Sequence, residues 1–196
     1  LTSPMSRHST SPRVGPTPRF LTVSLAHELG VLLCLSVLFP FMIHLLPFPE
    51  DSRMGPRLLP MFYAPLLAAL VGRMRSALVV ALLAPWLNWA LTTHPPPPLS
   101  LLMTIELLGF VGMLRWLLAR LGPRWFLAAP AFLAGKAGSV LLGTLWPELI
   151  RGGNAFNWGL QAIATGLPGI AILVLINWLV VRHYPAGPSG GGPAAA

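Results

Sequence analysis

Long apolar segments, separated by short polar or proline-rich connections, set the pattern of this chain. Six such segments occur, and they predict transmembrane helices at 20–46, 58–71, 76–92, 99–119, 125–146 and 155–181. Because a helix rises 1.5 Å per residue, about 20 residues reach across a hydrocarbon core of about 30 Å. The second segment is the shortest. The predicted fold class is therefore all-α, a polytopic membrane protein with six transmembrane helices.

The ends of the chain differ from these segments in composition. Residues 1–19 are polar and rich in Ser, Pro and Arg, which predicts a disordered N-terminal tail. Residues 183–196 are mostly Gly, Pro and Ala, which predicts a flexible C-terminal tail. One transmembrane domain is predicted between them, at 20–182.

The overall composition supports a membrane protein. Of 196 residues, 55% are hydrophobic and only 9% are charged, whereas soluble domains carry about 25% charged residues. The net charge of +8 does not indicate nucleic-acid binding, because the basic residues are scattered along the chain. A single cysteine, Cys34, rules out an internal disulfide, and the five histidines show no i, i+4 pairing. We therefore expect no metal and no cofactor.

The positions of the arginines predict the orientation in the membrane. Six spans place both termini on one side, where eight arginines fall, against three on the other side. Loops with an excess of Lys and Arg are usually cytoplasmic. We therefore predict that the N and C termini are cytoplasmic.

Polar side chains within the predicted spans concentrate toward the outer face. Counted from the span ends, Glu106 lies roughly 10 Å deep and Lys136 roughly 13 Å deep. Further polar or aromatic groups fall in the outer half or its loops: Asn88, Trp86, Trp89, Tyr63, Asn157, Gln161, His44 and His94. Ionisable residues inside a membrane most often serve a function. The pattern therefore predicts an outward-facing pocket for a small molecule.

Each of these groups also has a purely structural interpretation. Glu106 and Lys136 either contact a ligand or form an ion pair that joins two spans. Asn88 either binds a ligand or links two helices by a hydrogen bond. Trp86 and Trp89 either stack on a ligand or pack against other helices. Three further residues either contact a ligand or are simply solvated at the interface: Asn157, Gln161 and His44. No nucleophile and base lie at matched depth, so we expect no enzymatic activity.

Small residues mark the first and the last span. Ala26 and Gly30 are four residues apart, which lets another helix approach closely, either within the bundle or from a partner protein. His27 and Glu28, between them, are expected to face headgroups or a partner. In the sixth span, the proline and glycines of 166–169 predict a kink.

Several features follow one another in a characteristic order. They are His44-Leu-Leu, Leu59-Pro60-Met61, Leu66-Leu67-Ala68, the prolines at 95–98, Glu106, Lys136 and Gly166-Leu-Pro-Gly169-Ile170. This series, spread over nearly all of 20–181, resembles the substrate-binding S components of energy-coupling factor (ECF) transporters. These proteins take up vitamins and related micronutrients in prokaryotes.

The resemblance implies a six-helix protein of the prokaryotic cell membrane that binds one vitamin-like molecule near the outer face and is not an enzyme. Its implied partners are a transmembrane coupling protein, docked on Ala26 and Gly30, and two ATPase subunits. The loop 47–57 is then expected to act as a lid, and the prolines at 95–98 as a stiff wall of the pocket. The alternative is a non-transporting helical scaffold subunit of a larger membrane complex.

Overall fold

The computed structural model describes residues 25–45, 54–150 and 153–183, and it places most of them in helices. The predicted tail at 1–19 and residues 184–196 of the C-terminal tail lie outside the described residues. So do residues 46–53, which make up most of the expected lid, and the side chain of His44. The predictions for these parts therefore remain predictions.

Eight α-helices follow one another along the described ranges. They are α1 (Leu25–Leu45), α2 (Met54–Leu58), α3 (Tyr63–Leu70), α4 (Met74–Thr92), α5 (Pro97–Leu121), α6 (Ala128–Leu145), α7 (Ala155–Thr165) and α8 (Leu167–His183). Two 3-10 turns lie at Pro60–Phe62 and Pro147–Ile150. The prediction of an all-helical fold is confirmed for the described residues, although the expected lid loop ends in α2.

Four helices, α1, α4, α5 and α6, are long and apolar enough to cross a membrane. The bent pair of α7 and α8 adds a fifth crossing if both form one broken span. Large apolar side chains such as Val31, Leu141 and Leu145 lie more than half exposed on the outside of the bundle, where lipid is their natural environment. These are the helices of a membrane-embedded protein.

The second predicted span is short. Helix α3 has eight residues, about 12 Å of helix, which is less than the thickness of a hydrocarbon core. It is nonetheless central, because Ala64 and Leu66 have no exposed surface. Length alone therefore gives four or five crossings, and the six-span topology stays a prediction.

Helices α5 and α6 pack with their backbones nearly in contact. A Cβ atom placed on Gly135 would lie 2.3 Å from the carbonyl oxygen of Glu106, and one on Gly109 would lie 3.1 Å from the Cα of Gly135. A Cβ does not fit at Gly135 and is tight at Gly109, so two glycines set the distance between the helices. The contact also brings Glu106 opposite Lys136, the residue that follows Gly135.

The proline run enters α5 further than the sequence suggested. Pro97 and Pro98 form the first turn of the helix, and Pro96 precedes it in extended backbone. The expectation that the helix begins after the prolines, at residue 99, is wrong. First-turn N–H groups have no acceptor within the helix, so their absence in proline costs nothing there.

The predicted kink in the last span is confirmed. Helix α7 stops at Thr165, α8 starts at Leu167, and the two axes differ by 59°. Beyond the break, a Cβ on Gly169 would lie 2.8 Å from the carbonyl oxygen of Arg57. The glycine therefore lets α8 sit directly on the connection between α2 and α3.

Polar contacts also join elements where α1 begins and α5 ends. A guanidinium nitrogen of Arg73 lies 3.3 Å from a carboxylate oxygen of Glu28, without an aligned hydrogen bond. The Glu28 side chain is only 13% exposed, so it faces the bundle and not, as expected, headgroups or a partner. The side-chain amide of Asn177, a buried group that the sequence analysis did not single out, donates to the carbonyl oxygen of Arg124 at 3.1 Å.

Substituting Gly135→Ala tests the contact between α5 and α6. We expect the free energy of unfolding to fall by about 1–3 kcal/mol, because a methyl group at this position forces the backbones apart. Thermal unfolding in one detergent measures the change. Gly112→Ala on α5 is the matched control, since a Cβ there meets nothing within 4 Å. Equal loss of stability in both variants would contradict the close contact.

Candidate binding cavity

A cavity of about 480 Å³ opens at the end of the bundle where α4 ends and α5 begins. Its walls come from α1 (Pro40), the first 3-10 turn (Met61, Phe62), α5 (Met103) and α7 (Trp158). The volume falls in the range of about 300–1,000 Å³ that small-molecule sites occupy, and a mainly apolar lining with few polar groups is typical of them.

An ion pair forms the floor of this cavity. The ammonium nitrogen of Lys136 donates to Oε2 of Glu106 at 2.6 Å. Both residues are buried, with 6% and 4% of their surfaces exposed. The hydroxyl of Ser139 lies 3.3 Å from the same carboxylate oxygen and 2.9 Å from the carbonyl oxygen of Lys136. Of the two interpretations left open for this pair, the structure therefore shows direct pairing.

Two aromatic rings cover the ammonium group of Lys136. The nitrogen lies 5.0 Å from the ring centroid of Trp158 and 5.8 Å from that of Phe132, both within the reach of a cation–π interaction. A carboxylate on one side and two ring faces on the others satisfy the charge. The floor of the cavity is therefore electrically neutral.

Asn88 both joins helices and faces the cavity. Its amide nitrogen donates to the carbonyl oxygen of Ser36 at 3.2 Å and to that of Ala84 at 2.9 Å. Only nitrogen can serve two carbonyl acceptors, so the orientation of the amide is fixed. The residue is 2% exposed and lines the cavity. Asn88 therefore ties α1 to α4 through its nitrogen and also borders the cavity.

Residues after α4 form the rim of the cavity. The Thr92 hydroxyl lies 2.7 Å from the carbonyl oxygen of Asn88 and 2.8 Å from that of His94, and it accepts from the backbone N–H of His94. His94, Pro95 and Pro96 all line the opening. The prolines thus lie where a wall of the pocket was expected.

Three predicted aromatic site residues do not line the cavity. Trp86 and Trp89 pack edge to face against each other, with ring centroids 6.4 Å apart. Tyr63 donates its hydroxyl to the carbonyl oxygen of Leu58 and packs against Phe39. Neither the two tryptophans nor the tyrosine is among the residues that line the cavity, so these aromatic groups serve packing in this structure.

On α7, the helix face that meets the cavity differs from the predicted one. Asn157 and Gln161 are exposed, whereas Trp158 and Ala162 line the cavity. The cause is Gly159, where a Cβ would lie 2.4 Å from a methyl group of Val140 on α6. Because the glycine must face α6, the residues beside it face the cavity, and Asn157 and Gln161 turn away.

A signal for this face exists in the sequence. Ala155 and Gly159 are small, four residues apart and both buried, and small residues mark close helix contacts in membranes. The same rule that drew attention to Ala26 and Gly30 would have oriented α7 and selected Trp158. Phe62, Met61 and Met103 carried no comparable signal.

Within the described ranges, no three His, Cys, Asp or Glu side chains gather closely enough to hold an ion. The nearest candidates in the cavity, Glu106 and His94, lie on its floor and its rim respectively.

Replacing either member of the ion pair tests its strength. Glu106→Gln and Lys136→Met each leave a buried charge without its partner, and we expect each to lower the free energy of unfolding by about 3–5 kcal/mol. The double variant should lose much less than the sum of the two, since no unpaired charge remains. Thermal unfolding midpoints of all four proteins give the coupling, and additive losses would contradict direct pairing.

Comparison with known proteins gives no match: no family model, curated protein or solved structure is significantly similar to the chain. What the protein binds is therefore inferred from its own cavity.

Proposed function

We propose that the protein is a substrate-binding subunit of a membrane transporter that captures a small molecule in the cavity above the Glu106–Lys136 pair. The observation that carries this proposal is the cavity itself, about 480 Å³ in volume and closed at its floor by a buried, neutral ion pair. Protein interiors rarely keep voids larger than a water molecule, so a space of this size calls for an occupant.

The resemblance to ECF S components makes this proposal more specific. As an S component, the chain would have six spans, and α3 with its 3-10 turn would be the short second span. Both termini would lie in the cytoplasm of a prokaryotic cell. The cavity then opens to the outside and admits a vitamin-like micronutrient. Arg73, Arg120 and Arg124 lie near the opposite helix ends, as cytoplasmic arginines would.

Exposure of α1 supports the docking of a partner helix. Only 6% of the apolar stretch of α1 is buried inside the protein, compared with 39–44% of the corresponding stretches of α4, α5 and α6. Ala26 and Gly30 are exposed and line a shallow groove with Cys34. A Cβ on Gly30 would meet nothing within 4 Å, so the fold itself does not require glycine there. The proposed partner is the coupling protein of the transporter, which carries two ATPase subunits.

A second candidate function is a non-transporting scaffold subunit of a larger membrane complex. One observation favours it: Glu106 and Lys136 satisfy each other, and Asn88 links two helices, as polar groups that hold helices together do. In this case the cavity would be filled by lipid or by a neighbouring subunit.

A cavity-filling variant tests substrate binding. Mass spectrometry of the gently purified protein should detect a bound small molecule. Ala162→Phe, on the cavity wall, should abolish its retention because the added ring fills the space. Ala164→Phe places the same ring on the exposed side of α7, and it should retain the molecule as the unaltered protein does.

Three outcomes separate the two candidates. Loss of the molecule in Ala162→Phe alone supports the binding subunit. Equal retention in both variants shows a molecule outside the cavity. A protein that is always empty, yet fails to assemble in its complex after Glu106→Gln, supports the scaffold.

A bulky residue on α1 tests the docking surface. Gly30→Leu should leave the unfolding midpoint unchanged, because the site is open, and should reduce recovery of the coexpressed coupling protein and ATPases by about tenfold or more. Gly112→Leu, at an equally open position on α5, is the control and should leave recovery unchanged. Unaltered recovery with Gly30→Leu would contradict docking at this face.

A further inference from the structure

A proline interrupts α1 at the level of the cavity. Pro40 lies within the helix, four residues after Ser36. In an α-helix, the N–H group of each residue donates to the carbonyl oxygen of the residue four positions earlier. Proline has no N–H group, and its ring crowds that carbonyl group. The carbonyl oxygen of Ser36 therefore lacks the donor that the helix would normally supply.

The missing donor comes from α4. The amide nitrogen Nδ2 of Asn88 donates to the carbonyl oxygen of Ser36 at 3.2 Å. Ser36 has no exposed surface and Asn88 is 2% exposed, so the bond is buried. A buried carbonyl oxygen without a donor is costly. The side chain of Asn88 therefore stands in for a backbone N–H group of α1.

Packing of α1 against the bundle is heavier before Ser36 than after it. Four leucines before it pack against buried residues of α3 and α4: Leu29, Leu32, Leu33 and Leu35. Three large apolar residues after it are nearly half exposed: Leu38, Phe41 and Met42. Phe39 packs edge to face against Tyr63, which is itself only partly buried. The end segment of α1, which we define as residues 37–43, is therefore lightly held.

This end segment forms part of the cavity wall. Pro40 and Phe41 line the cavity, as does Asn88 on the neighbouring helix. A helix bends most easily where its hydrogen-bond ladder is interrupted, and proline is a common cause. A bend at Pro40 would move Phe41 relative to the other walls. The bond from Asn88 ties α1 to α4 at this weak point.

We propose that Asn88 is a positioning residue of the cavity wall. Its amide supplies the donor that Pro40 takes away from α1, and it thereby fixes the end segment next to α4. Without this bond, the end segment moves at Pro40 and the width of the cavity changes. This inference goes beyond the proposed function, because it concerns how the cavity keeps its shape, whatever molecule occupies it.

A restored N–H group in α1 tests the substitution of one donor for the other. Pro40→Ala gives residue 40 an N–H group for the carbonyl oxygen of Ser36, and Asn88→Leu keeps a branched side chain without a donor. In the unaltered chain, we expect Asn88→Leu to lower the equilibrium constant for folding about tenfold, the cost of one buried acceptor left without a donor. In the Pro40→Ala background, Asn88→Leu should change this constant little.

Pro98→Ala is the matched control for Pro40→Ala. Pro98 lies exposed in the first turn of α5, where a proline removes no hydrogen bond within the helix. In this background, Asn88→Leu should lower the equilibrium constant for folding as much as it does in the unaltered chain. Reversible unfolding in one detergent measures the constant for all of these proteins.

Spin labels measure the movement of the end segment directly. Cys34, the single cysteine of the chain, is exposed on α1 before the interruption. Met42→Cys, combined with Cys34→Ala, places a label in the end segment instead. Each label is paired with Leu141→Cys on the exposed side of α6, and pulsed electron paramagnetic resonance gives the distances in lipid nanodiscs. We expect Asn88→Leu to broaden the distance distribution from position 42 only, and added Pro40→Ala to narrow it again.

The possible outcomes support or overturn this role of Asn88. Equal costs of Asn88→Leu in the unaltered chain and in Pro40→Ala would overturn it, as would equal broadening from positions 34 and 42. If Asn88→Leu alone does not fold, recovery of folded protein on adding Pro40→Ala, and not on adding Pro98→Ala, supports the role. Failure of that recovery overturns it. None of these measurements involves an occupant, so a negative result leaves the proposed binding function standing.

Discussion

The near contact of the α5 and α6 backbones at Gly109 and Gly135 is the constraint on which the rest of the site depends. With no side chain between them, the helices approach until the Glu106 carboxylate meets the Lys136 ammonium at 2.6 Å. A buried charge pair is favourable only with such geometry, because each ion has given up its hydration. A methyl group at Gly135 would disturb both the packing of the two helices and the ion pair between Glu106 and Lys136.

Other close contacts of small residues place the remaining walls. Gly159 fits against Val140, which turns α7 so that Trp158 covers the ammonium group of Lys136. Gly169 fits against the connection between α2 and α3, beyond the 59° break that separates α7 from α8. The cavity is thus built by positions where side chains are absent, and its chemistry is set by the few polar groups that these contacts bring together.

The same ion pair is compatible with a binding protein and with a scaffold, and the open space beside it is the feature on which the proposal of a binding protein rests. A scaffold subunit gains stability by filling its interior, since unfilled volume forfeits dispersion contacts. Here a cavity persists between Asn88, the prolines after α4 and the aromatic residues of the 3-10 turn and α7. Because the two charges at its floor pair with each other, the cavity offers mainly apolar surface to an occupant.

The sequence by itself determined the helical class, most helix positions, the break near Gly166 and the similar level of Glu106, Lys136 and Asn88 along their helices. The level along a helix follows directly from residue count, because the rise per residue is fixed. Only the tertiary structure decided which face of each helix points inward. In a membrane both lipid and protein interior are apolar, so hydrophobic periodicity does not distinguish them. A shift of one residue turns a helix face by about 100°, which is why Trp158 and Ala162, and not Asn157 and Gln161, line the cavity.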